Sequence, residues 1–205
     1  MQYLTIDAAP LLARAAMLRP VATRIAHGFR APEAALAARA AALAPEIAVG
    51  RVCTAGAWED DTVHAALSDA LDTPLRPALR RGFEWHLCRG AFFHTDAHYG
   101  DVLFGVWCAA GPAMNLVFPR AGIRLRSEPG TIAIFDPFEV HGVLHAGARE
   151  YRTEDYATAA ISAFVGFELT IDDAVRERFG IADSVPDARI VSSNTRVAAT
   201  TGIFE

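Results

Sequence analysis

Two short segments of this chain carry residue types and spacings that suit chemistry: HTDAH at 94–98 and HGVLH at 141–145. His94 and Asp96 are two apart, so on an extended strand both side chains point to the same face. His141 lies well downstream, beyond a Gly-led apolar run, and in a closed or sandwiched β fold it can meet the first pair from a facing strand. Two neutral imidazoles and one carboxylate on one side of a metal leave the opposite positions open, as a non-haem Fe(II) centre requires. A structural zinc site would instead want four protein ligands, preferably thiolates. Cys53, Cys88 and Cys108 have no paired spacing and do not supply them. The plainer alternative is a set of histidines satisfied by hydrogen bonds at the mouth of a barrel.

Neighbouring residues take simpler roles. His86 shares strand parity with His94 and reads as a hydrogen-bonded core histidine facing the same cavity, while His98 reads as an exposed loop histidine. Cys88 has the same parity and would be an oxidation liability beside iron. Asp136 and Glu139 flank His141 and are placed to orient it from behind. Trp85, Trp107, Phe92 and Phe104 read as barrel core.

The elements that must position these residues divide near residue 80. Before it, alanine-rich stretches at about 8–28 and 32–45, punctuated by Pro20, Pro32 and Pro45, carry apolar residues at helical intervals. A third helix is predicted over 61–72, capped by Asp60 or Asp61. After it, FEWHLCRGAFFH, VLFGVWCAA, AMNLVF, GIRLRS, GTIAIF, HGVLH and ISAFVGFEL read as short strands separated by turn signals. Thr170 with Asp173 resembles a capping box opening a last helix that Gly180 stops. The expectation is one α+β domain over 1–205: a helical support region to about 80, a β barrel or sandwich over about 81–170, and a C-terminal helix and tail over 171–205.

Composition excludes several functions. All nineteen basic residues are arginines, so no Schiff-base lysine, pyridoxal-phosphate anchor, Walker-type lysine or lysine general base exists in this sequence. The net charge of −5 with scattered arginines offers no basic stripe for nucleic acid. Asp7 and Arg14 interrupt the first apolar run and no segment has the length to cross a bilayer, so neither secretion nor a membrane partner is expected. An odd number of cysteines without CxxC spacing fits a reduced cytoplasm. There is no nucleophile elbow and no dinucleotide fingerprint.

Over residues 83–169 the sequence resembles the double-stranded β-helix core of the Fe(II)/2-oxoglutarate-dependent oxygenases, especially their prolyl-hydroxylase-like branch. GAFFHTD resembles that branch's run into HxD. MNLVFP resembles the strand between the ligands, and EPGTIAIFDPFEVHGV the strand leading into the distal histidine. The resemblance implies His94, Asp96 and His141 as iron ligands, 2-oxoglutarate and O2 as co-substrates, and hydroxylation of a C–H bond of a small molecule with release of succinate and CO2. One departure concerns the base that holds the far carboxylate of 2-oxoglutarate, which the family places on the strand after the distal histidine. Here that stretch reads Ala160-Ile161-Ser162. Arg152 and then Arg149 are the nearest candidates, with Arg124 and Arg126 a further option; REYRTED also reads as a solvated loop. The missing strand base favours a second reading, a cupin-like metal dioxygenase or isomerase without 2-oxoglutarate. A third is a metal-binding module without turnover.

Overall fold

The computed structural model describes residues 4–8, 12–14, 22–43, 47–181, 189–191 and 196–204. Thirteen strands are distributed over two antiparallel sheets and one parallel pair among these residues. In chain order they are β1 (Thr5–Ala8), β2 (Leu12–Arg14), β3 (Arg24–Phe29), β4 (Val52–Glu59), β5 (Leu79–Cys88), β6 (Ala91–His94) and β7 (Val102–Ala110). Then follow β8 (Met114–Phe118), β9 (Ile123–Ser127), β10 (Thr131–Phe135), β11 (His141–Leu144), β12 (Ser162–Thr170) and β13 (Arg189–Val191). The larger sheet has the order β1-β3-β10-β7-β12-β5-β4, the smaller β6-β11-β8-β9, and β13 pairs in parallel with β2. Three helices, α1 (Ala34–Ala42), α2 (Asp61–Ala70) and α3 (Asp173–Phe179), complete an α+β architecture.

Side-chain alternation sorts the larger sheet into two faces. Phe83, Trp85 and Leu87 of β5, Leu103 and Trp107 of β7, Val165 and Phe167 of β12, and Ile132 and Ile134 of β10 pack with Leu36, Leu67 and Phe179 of the helices. The opposite parity, Cys88, Phe104, Cys108, Phe135 and Phe164, packs with Phe93, Leu116, Phe118 and Val143 of the smaller sheet. The expected strands therefore exist, and the site lies in the space between the sheets. Among the described residues no helix is long and apolar enough to cross a membrane.

Helix α2 forms where expected because Asp60 accepts from the amides of Thr62 (2.9 Å) and Val63 (3.1 Å), and Val63, Ala66, Leu67 and Ala70 make one buried face. The last helix is capped differently from the sequence expectation: Asp172, not Thr170, accepts from Val175 N at 2.9 Å, and Gly180 ends the helix in the left-handed region.

The helix expected over 8–28 does not form where it is described. Residues 24–29 are instead a strand between β1 and β10, with Ile25 turned into the space between the sheets and Ala26 turned toward the helices. The edge of β10 needs a partner for its backbone groups, and that tertiary requirement outweighs a helical preference of a few tenths of a kcal/mol per residue. Residues 9–11 and 15–21 of that expected helix, and 44 and 45 of the next, lie outside the described residues. Strand β4 was not expected at all; it pairs with β5 and forms the far edge of the larger sheet.

Candidate metal centre

His94 ends β6 and His141 begins β11, and the two are register partners across that antiparallel pair. Their approach depends on Gly142, where a β-carbon would stand 2.9 Å from the Phe93 ring and 3.1 Å from Ala91 O. Asp96 leaves the strand, and its amide donates to Pro137 O at 2.7 Å, tying the HTD turn to the turn that precedes His141. Asp136 builds that second turn: its carboxylate accepts from Phe138 N (2.9 Å) and from Ala22 N (3.1 Å).

The three side chains converge. Asp96 Oδ1 is 3.6 Å from His94 Nε2, Asp96 Oδ2 is 3.3 Å from His141 Nε2, and one ligand atom from each residue lies within 4.8 Å of the others. A metal about 2.1 Å from each donor would bring adjacent donors to about 3 Å from one another, so small adjustments suffice. Each ring is already turned for this. His94 Nδ1 lies 2.7 Å from Phe92 O and His141 Nδ1 lies 3.0 Å from Glu139 O. A carbonyl only accepts, so Nδ1–H donates in both rings and Nε2 of each faces Asp96, free when deprotonated to ligate a metal. The main-chain carbonyl of Glu139 thus does the orienting that the sequence suggested for its carboxyl.

Electrostatics fit the same picture. Burial, reinforced by the neighbouring His141, lowers His94 to about 4, so its ring is neutral at ordinary pH. Burial would raise Asp96, but the adjacent His141 and His94 hold its carboxylate well below the usual range. Burial opposes protonation of His141, yet Asp96 against its ring raises it on balance. A cation would therefore have to compete with protonation of His141. Burial also pushes Glu139 up to about 8 and Cys88 up to about 12; a thiol so far from ionisation is a poor metal ligand.

Two spaces meet at His94 and Asp96, and the inner one also reaches His141. An inner cavity of about 60 Å³ runs between the sheets, walled by Cys88, Phe104, Leu116, Phe135, Val143 and Phe164. Among the described residues no arginine and no hydroxyl lines it, and Phe164 is the inward residue that β12 contributes. An outer vestibule of about 270 Å³ opens on the β4 side, lined by Arg51, Thr54, Phe92, His98 and Tyr99 as well as His86, His94 and Asp96. Tyr99 donates to Glu84 at 2.8 Å, lies 3.3 Å from His86 Nε2 and stacks on Phe104, so His86 is held at the junction of the two spaces.

The arginines expected for a far carboxylate are not brought to either space. Arg149 and Arg152 are exposed in the loop after β11. Arg124 is exposed and donates to Ala148 O at 2.7 Å, and Arg126 pairs with Glu128 at 2.8 Å. Arg51 was not singled out from the sequence, because β4 was not recognised; the alternation of Val52 and Thr54 ahead of Trp58 was the only signal. Trp85, Trp107 and Phe104 are core as expected, whereas Phe92 is half-buried on the vestibule wall.

No family model matches this chain, and no curated protein sequence does. A solved structure of a prolyl-4-hydroxylase from Pseudomonas putida aligns with 71% of this chain and 93% of its own length, at a TM-score of 0.46 and 16% identity.

Proposed function

We propose that this chain is a non-haem Fe(II) oxygenase that uses 2-oxoglutarate and O2 to hydroxylate a C–H bond of a small molecule, its two sheets forming a double-stranded β-helix. The observation that carries the reading is the donor set itself: two Nε2 lone pairs and one carboxylate aimed at a single point, with no fourth protein ligand joining them among the described residues. Such a set fits a divalent metal that must keep positions open, and bound iron would supply the power to reduce O2 and oxidise a C–H bond. The chain contributes the rest. Phe92 O and Glu139 O fix the two imidazole tautomers, Asp96 supplies the charge, and Phe104, Phe135 and Phe164 keep bulk water from the inner side. The vestibule has the capacity of a small-molecule site, which supports that substrate class.

The fit to 2-oxoglutarate is weaker than the fit to iron. A far carboxylate placed in the inner cavity would meet aromatic and aliphatic walls and no cation, and burying it there is costly. That observation favours a second reading, a metal-dependent dioxygenase or isomerase that needs no keto acid. Succinate release separates the two. With Fe(II), ascorbate and O2 present, the first reading expects 2-oxoglutarate to be converted to succinate by the wild-type protein and not by Asp96→Ala. Metal binding without any binding or consumption of 2-oxoglutarate would reject it in favour of the second.

A further inference from the structure

Among the described residues Arg51 is the one arginine lining the vestibule that reaches His94 and Asp96. It stands at the end of a tight turn. Gly50 has φ of +76°, its amide donates to Arg89 O at 3.2 Å, and the hydroxyl of Tyr151 occupies the place where a side chain at Gly50 would go. Arg51 N donates back to Ala48 O at 3.2 Å. The turn therefore delivers Arg51 to the start of β4 in a defined position, with its guanidinium carbon 5.4 Å from the centre of the Phe92 ring. That ring in turn packs edge-on to His94, with centroids 6.1 Å apart.

Several other surface arginines are occupied: Arg80 with Glu168, Arg81 with Asp61, Arg126 with Glu128 and Arg178 with Asp72. The guanidinium of Arg51 has no ion pair or hydrogen bond among the described residues; the ring of Phe92 holds its face and leaves its N–H edge open. An arginine edge is shaped for two parallel hydrogen bonds to a carboxylate, and the Thr54 hydroxyl lines the same space. The vestibule has room for roughly nine water-sized groups.

From this arrangement we infer that Arg51 anchors a carboxylate on the small ligand that reaches the metal through the vestibule, so the site selects small organic acids. The inference rests on the metal-centre reading for the ligand's other end. The carboxylate has two sources, the substrate or the far end of 2-oxoglutarate bound outward instead of inward.

The test uses 4-fluorobenzoate and 4-fluorobenzamide as probes, with binding to the Mn(II)-loaded protein read by fluorine NMR line broadening. The wild-type protein is expected to bind the acid in preference to the amide. Arg51→Ala should weaken the acid about tenfold or more, Arg51→Lys should restore part of the loss, and Mn(II) affinity should stay unchanged in both. Arg51 is exposed, so neither variant removes core packing. If saturating 2-oxoglutarate displaces the acid and itself binds Arg51→Ala more weakly, the anchored carboxylate is that of the keto acid. If the acid stays bound beside 2-oxoglutarate, the carboxylate belongs to the substrate. No preference for the acid, no binding of it, or equal affinity in Arg51→Ala overturns the assignment. No turnover is required, so absence of succinate formation would reject the 2-oxoglutarate-dependent reading and leave this result standing.

Discussion

Asp96→Asn tests the electrostatics of the centre without any metal. His141 Nε2 and Asp96 Oδ2 are 3.3 Å apart, and both side chains are mostly buried. At an effective dielectric near 20 their attraction is about 5 kcal/mol, and desolvation leaves a net of about 1–3 kcal/mol. The pH dependence follows from the direction of the shift. His141 is raised above its unfolded value, so its contribution is full below about 6.5 and is lost as pH rises through the raised folded value. His94, lowered to about 4, acts in the opposite sense but only between about 6.5 and 4, so the informative window lies above it. Glu139, raised to about 8, also makes stability fall with pH in that window, and because it interacts with His141 only part of its effect is common to the two proteins. Above its own raised value the His141 ring is neutral and turns a lone pair toward the carboxylate, which asparagine tolerates at least as well. Urea unfolding in EDTA over a pH series should therefore show Asp96→Asn destabilised by about 1–3 kcal/mol at pH 6.5, with the deficit shrinking as pH rises. A deficit that does not shrink with rising pH would refute the ion pair and the tautomers derived from it.

Two packing predictions concern how the ligands are held. Gly142→Ala should destabilise the protein by about 1–3 kcal/mol in chemical unfolding and weaken metal binding, because its methyl group forces β6 and β11 apart at the His94–His141 register. Unchanged metal affinity would show that this approach does not set the ligand geometry. Tyr156→Phe removes a fully buried hydroxyl that accepts from His145 N at 2.6 Å and donates to Val143 O at 3.2 Å. Leaving those backbone groups of the β11 region unpartnered should cost about 1–3 kcal/mol of stability, read as a lower melting temperature.

The legible part of this molecule was the part with period two. From Phe83 to Leu169 the alternation that puts Trp85 and Leu87 on one face and His86 and Cys88 on the other is written in the residues; the HxD spacing pointed to His94 with Asp96, but Asp96 lies beyond the strand and is held by the turn at Pro137 instead of by parity. What brings His141 opposite His94 is not written there: it comes from register between β6 and β11, which the sequence near Gly142 permits without specifying. The N-terminal segment misled for a physical reason. Alanine favours helix only weakly, and Arg24–Phe29 is decided by the open edge of β10, a long-range demand that no local pattern carries. Arg51 was hidden for the same cause, since its position depends on β4 pairing with β5 and on Gly50 turning under Tyr151. The cations that looked suitable in the sequence, Arg149 and Arg152, sit at the right separation from His141 but on a solvated loop.

If His94, Asp96 and His141 together form one metal site, anaerobic calorimetric titration of Fe(II) into the EDTA-stripped, dialysed protein at pH 7.5 should find one high-affinity site per chain. Affinity should fall by more than about 100-fold in each of His94→Ala, Asp96→Asn and His141→Ala, since even outer partners of a ligand are worth about 10- to 100-fold. Absence of a site in the wild-type protein, or its survival at full affinity in any one of the three variants, would contradict a single shared site.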